Sequence, residues 1–99
     1  VSVEVDINHG YPCVVNDTLP SYESMIIAQD EGIVVREMEA LTTAEDFGHY
    51  SERYPSLFYR LGVGAASGSS HTATFLPDEA AIAVGDRMMR RMALHILNK

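Results

Sequence analysis

Ninety-nine residues allow one small domain at most, and a hydrophobic content of 46% places the chain with globular rather than disordered sequences. Fourteen acidic against seven basic residues give a formal charge of −7, which argues against nucleic acid or an anionic membrane as partner, since both reward a basic face. Cys13 is the one cysteine, so an intrachain disulfide and a cysteine-built zinc knuckle are both excluded; a reducing, cytoplasmic setting is the simpler expectation.

Val1 to Ile7 alternates strictly, with Val1, Val3, Val5 and Ile7 on one side and Ser2, Glu4 and Asp6 on the other. Period two with β-branched residues predicts a half-buried strand of an antiparallel sheet. The chain opens in mid-strand, with neither an initiator methionine nor a signal-peptide pattern, as expected of a fragment or a processed chain. No run approaches the ~20 apolar residues of a membrane span. His9-Gly10-Tyr11-Pro12 is a turn, Val14-Val15 a short extended piece, and Asn16-Asp17 a helix-start signal.

A helix is expected from Leu19 to about Asp30, with Pro20 in its first turn, Gly32 just past its end, and Tyr22, Met25 and Ile26 on its packed face. Ile33-Val34-Val35 reads as a buried strand. Thr42 and Glu45 have the spacing of a capping box, so a short helix is predicted over about Thr43 to Glu52. Pro55 ends it, and Ser56 to Val63 is the next strand. Gly62 to Ser70 is a small-residue loop. The strongest helix runs from about Pro77 to Leu97, capped by Asp78 or Thr74, with an apolar stripe of Ala81, Ile82, Gly85, Met89, Met92, Ala93 and Ile96. Gly85 on that stripe predicts close approach to a strand. Helices alternate with strands after residue 17, which is the pattern of an α/β layer.

Few motifs carry chemistry. The loop Gly62-Val63-Gly64-Ala65-Ala66-Ser67-Gly68 follows a strand, but its glycine spacing misses the dinucleotide fingerprint and no helix opens on it; a flexible connection or a close backbone approach to a small ligand suits it better. Among the histidines, His9, His49 and His95 have the context of turn, surface and helix-end residues. His71 differs. Small neighbours leave its imidazole accessible at a strand-loop-helix junction, where a metal ligand or a base would sit. The adjacent carboxylates Glu45 and Asp46 are either first-turn dipole partners or part of an active-site rim.

In order and spacing, these pieces resemble a known family. Thr43-Ala44-Glu45-Asp46-Phe47, Pro55, Phe58-Tyr59-Arg60-Leu61-Gly62-Val63-Gly64, then His71, Phe75 and Asp78-Glu79 before a terminal amphipathic helix are similar to the closing part of the amidohydrolase branch of the dinuclear-metal aminoacylase and carboxypeptidase family. That branch includes N-acetyldiaminopimelate deacetylases, hippurate hydrolases and auxin-conjugate hydrolases. Gly10-Tyr11-Pro12 with Asn16-Asp17 resembles the family's crossing from its small lid domain back to the catalytic domain. Where the family has a Leu-His-Ser-Pro-like run, Ser70-His71-Thr72-Ala73 departs at both flanks.

The resemblance implies an α/β fold, with residues 1–17 as the last strand of a ferredoxin-like lid and its return crossing, and residues 18–99 as the C-terminal part of an α/β/α catalytic domain. It makes His71 the C-terminal ligand of two divalent ions (zinc, manganese or cobalt), whose activated water attacks the amide of an N-acyl amino acid. Glu45, Asp46, Gly62 and Gly64 become candidates for the substrate cleft or for contacts behind the ligands. The other ligands and the general base are expected upstream, so the chain alone should be inactive and need hold no metal. Homo-oligomers are expected, and the unpaired edge of the first strand should promote self-association. The competing expectation is a small non-catalytic α/β binding or oligomerisation module.

Overall fold

The computed structural model describes residues 1–99 and contains three helices: α1, Thr18–Asp30; α2, Gly48–Ser51; and α3, Ala80–Leu97. α1 begins where the sequence signals place it, with Pro20 in the first turn, where a missing N–H costs nothing. Its end is a Schellman motif. The Gly32 N–H donates to the Gln29 carbonyl at 3.0 Å and the Ile33 N–H to the Ala28 carbonyl at 2.8 Å, while Gly32 takes the left-handed conformation at φ 69°.

α1 and α3 pack antiparallel. Ile27 and Ala28 meet Met88 to form the buried cluster, and Ile33, Tyr59 and Met92 close over it. The packed face of α1 is therefore Ser24, Ile27 and Ala28 rather than the expected Tyr22, Met25 and Ile26, which are exposed. Helical spacing fits either face, and the bulkier set attracts the sequence reading. What selects the other set is α3: the small Ser24 and Ala28 admit it closely, and Glu23 and Glu31 on that side meet its basic residues. Glu31 pairs with Arg91 at 2.7 Å and Arg87 at 3.3 Å, and Glu23 pairs with Lys99 at 2.6 Å. The same choice divides the α3 stripe. Ala81 and Met88 are buried and Met92 packs against the cluster, whereas Ile82, Met89 and Ile96 face outward. Gly85 lies under Leu61, as its place on the stripe predicts; a Cβ there would meet the Leu61 Cδ2 at 2.9 Å.

Lys99 holds the Glu23 carboxyl below its ordinary 4.5, partial desolvation opposes this, and His95 adds to the lowering. A depressed carboxyl stabilises the folded state above its unfolded pKa, and the effect is lost as pH falls through the folded value. Glu23→Gln should therefore lower the urea midpoint of the parent protein at pH 6. The gap should close as the pH falls through the lowered folded-state pKa of Glu23. A gap that stays the same size as the pH is lowered would assign the effect to packing instead.

The short helix is a correction to the sequence reading. Instead of spanning Thr43 to Glu52, α2 is a single turn entered through tight bonds, Gly48 N–H to the Glu45 carbonyl and His49 N–H to the Asp46 carbonyl. The capping box does not form: the Glu45 carboxylate accepts forward from the Phe47 N–H at 3.3 Å instead of reaching back to Thr42. Asp17 stands at the N-cap of α1, as the helix-start signal predicts, but its side chain makes no capping bond. Its carboxylate accepts the Ser56 N–H at 2.8 Å and its own N–H donates to the Ser56 carbonyl at 2.9 Å. Asn16 does the same for Phe58, donating to its carbonyl at 2.9 Å and accepting its N–H at 2.7 Å. Residues 11–17 are thus strapped along residues 48–58, with Gly48 buried against Pro12.

Val1 to Ile7, Ile33 to Val35 and Ser56 to Val63 are neither helical nor paired into a sheet. A strand exists only with a partner strand, and these runs have none within the chain. Seven of 99 residues are buried, and the radius of gyration is 17.4 Å where a closed domain of this length has about 13 Å. The accessible surface of 8703 Å² exceeds that of a folded monomer of 10.9 kDa by roughly 3,000 Å².

Candidate metal-ligand site

His71 stands at the tip of a loop that closes on itself. Two backbone bonds form its base: Asp78 N–H to the Val63 carbonyl at 2.7 Å and Leu76 N–H to the Ser67 carbonyl at 2.8 Å. Above them the Thr72 hydroxyl donates to the Ser69 carbonyl at 2.7 Å and lies 3.2 Å from the Thr74 hydroxyl. The Asp78 carboxylate accepts the Ala80 N–H at 2.9 Å, which fixes the start of α3 beside the loop base and fulfils the expected capping role. The loop is a closed Ω-type turn whose ends are held together.

The tip conformation is unusual. His71 is the one non-glycine residue with positive φ, at 63°, a region that histidine visits more readily than most side chains but still seldom. The imidazole is exposed and makes no hydrogen bond within the chain. Both nitrogens are therefore free to serve an external partner. No three His, Cys, Asp or Glu side chains gather closely enough to hold a metal ion. His71, exposed and with both ring nitrogens unbonded in the chain, fits the part of a single donor.

No contact within the chain brings the other candidates to His71: Glu45 is engaged with its local turn, and Asp46 is exposed beside His49, Tyr50 and Arg53 along a shallow groove. Gly62 has open space around it. Gly64 has φ 101°, and a Cβ there would come within 3.2 Å of the Asp78 Cβ, so it serves the loop base directly. Sequence reasoning missed Gly68 as a conformational residue. Its signal was present in the small-residue run, but the run could not show which glycine turns the chain. It also missed Asn16 as a clamp, because an Asn-Asp pair before a helix reads as a cap.

No family model matches the chain, and no solved structure does. Curated proteins do match. The chain is 42% identical over 85 residues to the N-acetyldiaminopimelate deacetylase of Pediococcus pentosaceus, covering 84% of this chain and 22% of that protein. It is 33% identical to the protein of the same name from Lacticaseibacillus paracasei, with the same coverage. With that of Oceanobacillus iheyensis it shares 35% over 86 residues, 85% of this chain and 23% of the relative. The relatives are deacetylases by name. The chain is similar to these N-acetyldiaminopimelate deacetylases and spans about a fifth of their length. No helix in it is long and apolar enough to cross a membrane.

Proposed function

We propose that the protein containing this chain is a metal-dependent amidohydrolase that removes the acyl group from an N-acyl amino acid, and that His71 is one of its metal ligands. What carries the reading is similarity to named deacetylases along 84% of the chain; an accessible histidine that makes no hydrogen bond within the chain supports it. We propose the α/β/α arrangement as well. In it, residues 18–99 form the closing part of the catalytic domain, with Ile33 to Val35 and Ser56 to Val63 paired to strands supplied from outside the chain. The exposed apolar face of Val1 to Ile7 supports a place in a lid sheet, and its free edge supports homo-oligomers.

Two divalent ions, when bound, polarise an amide carbonyl and lower the pKa of water. The residues of this chain have narrower tasks. His71 holds one imidazole nitrogen out from the loop. Gly64 keeps the base of that loop tight against Asp78. Asp46 offers an open carboxylate at the rim, Glu45 shapes the turn that presents it, and Gly62 leaves room for a substrate beside the backbone. The substrate is small, and no nucleic acid or membrane partner is needed. The site of action is the cytoplasm.

The test is acetate release from N-acetyl amino acids by the zinc-loaded full-length protein, with the 99-residue chain assayed beside it. Turnover by the whole protein and none by the chain is expected. A zinc-loaded parent that hydrolyses no N-acyl amino acid would end the proposal. Tight stoichiometric zinc binding by the chain alone would overturn the assignment of the remaining ligands to other parts of the protein.

A further inference from the structure

Within the 99-residue chain, the tip of the His71 loop is held only by contacts inside the loop. Residues 68–74 are all exposed, and every hydrogen bond that shapes them starts and ends between residues 67 and 76. The conformation of His71 is therefore decided at the neck, where Gly68 and Thr74 face each other with His71 midway between them.

We infer that Gly68 is the positioning residue for His71, setting the width of the loop neck and through it the place of the imidazole. The inference rests on the reading of His71 as a metal ligand. Two features of Gly68 make an ordinary side chain there strained. Its φ of 73° lies in the left-handed region. A Cβ there would also come within 3.0 Å of the Thr74 carbonyl oxygen and 3.5 Å of its carbonyl carbon. Both are backbone atoms, with no flexible end to swing aside, so the neck itself must open. Opening strains the neighbouring Leu76 to Ser67 bond at 2.8 Å and the Thr72 hydroxyl contacts at the tip. Metal–ligand distances tolerate only about 0.2 Å. A few tenths of an ångström at the neck is thus enough to mislocate a donor at the tip, although the fold has no other reason to notice the change.

The experiment is a double-mutant cycle on zinc affinity in the full-length protein, read by competition with a chromophoric chelator. Gly68→Ala is expected to weaken zinc binding by about 10-fold or more, while the zinc-free protein still folds. His71→Ala should weaken binding further, and His71→Ala/Gly68→Ala should be no weaker than His71→Ala alone, because Gly68 acts only through the histidine. If Gly68→Ala does not fold, Gly68→Asn keeps the test, since asparagine accepts the left-handed backbone but still adds the Cβ; it too should weaken zinc binding only when His71 is present. Equal losses from the Gly68 change with and without His71 would overturn the inference, as would wild-type affinity in the Gly68 variants. Wild-type affinity in His71→Ala would instead remove the metal-ligand reading beneath it.

Discussion

Replacing His71 with alanine in the full-length protein is expected to cut turnover of an N-acetyl amino acid by at least about 100-fold and to lower zinc occupancy in parallel. The size follows from the kind of residue lost. An imidazole that completes a metal site supplies an inner ligand, and even the groups behind such ligands change metal affinity by 10- to 100-fold. Stability should hardly move. The His71 side chain is exposed and makes no hydrogen bond in the chain, and surface changes of that sort usually stay within about 0.5 kcal/mol. The one structural cost is the backbone, since alanine is less at ease than histidine at φ 63°. His71→Asn separates the two effects: asparagine keeps the left-handed backbone, so a loss of zinc equal to that of alanine assigns the defect to the missing nitrogen. Near-normal activity in His71→Ala would remove the residue from the site.

The parts of this molecule that were legible in the sequence are those fixed by neighbours along the chain. Pro20 and Gly32 mark the two ends of α1 because each acts within one turn of itself, and Asp78 marks the start of α3 for the same reason. Faces were harder to read. Spacing allows α1 to bury Tyr22, Met25 and Ile26 or Ser24, Ile27 and Ala28, and the decision belongs to Met88 and the basic residues of α3, far away in sequence. The clamps were invisible for the same reason: Asn16 and Asp17 find their partners at Phe58 and Ser56. Thr42 and Glu45 show the converse failure, a correct local pattern overridden because Gly48 docks on Pro12 and tightens the turn. At the candidate site, residue order singled out His71 for a proposal, whereas its left-handed backbone and the neck at Gly68 depend on contacts across the loop that no pattern of residue types encodes.

The strap of residues 11–17 leads to a second large effect. Gly48→Ala should destabilise the parent protein by about 2–3 kcal/mol, even though alanine is the better helix former by about 1 kcal/mol. The conflict is settled by what the new methyl group meets. Gly48 is buried, and a Cβ there would overlap the carbonyl oxygen of Pro12. That oxygen belongs to backbone anchored downstream by the reciprocal Asn16–Phe58 and Asp17–Ser56 bonds. Relief therefore requires either the strap to lift, which strains four hydrogen bonds, or α2 to shift away from it. Gly85 provides the contrast. Its Cβ would also be too close to a neighbour, at 2.9 Å, but that neighbour is the Leu61 Cδ2, the free end of a partly exposed side chain that can rotate. For Gly85→Ala the propensity gain and the repacking cost should nearly cancel, leaving a change within about 1 kcal/mol. Urea midpoints of the two variants decide the matter. Equal destabilisation would mean that the strap yields as easily as a leucine methyl, and that Asn16 and Asp17 do not hold it in place.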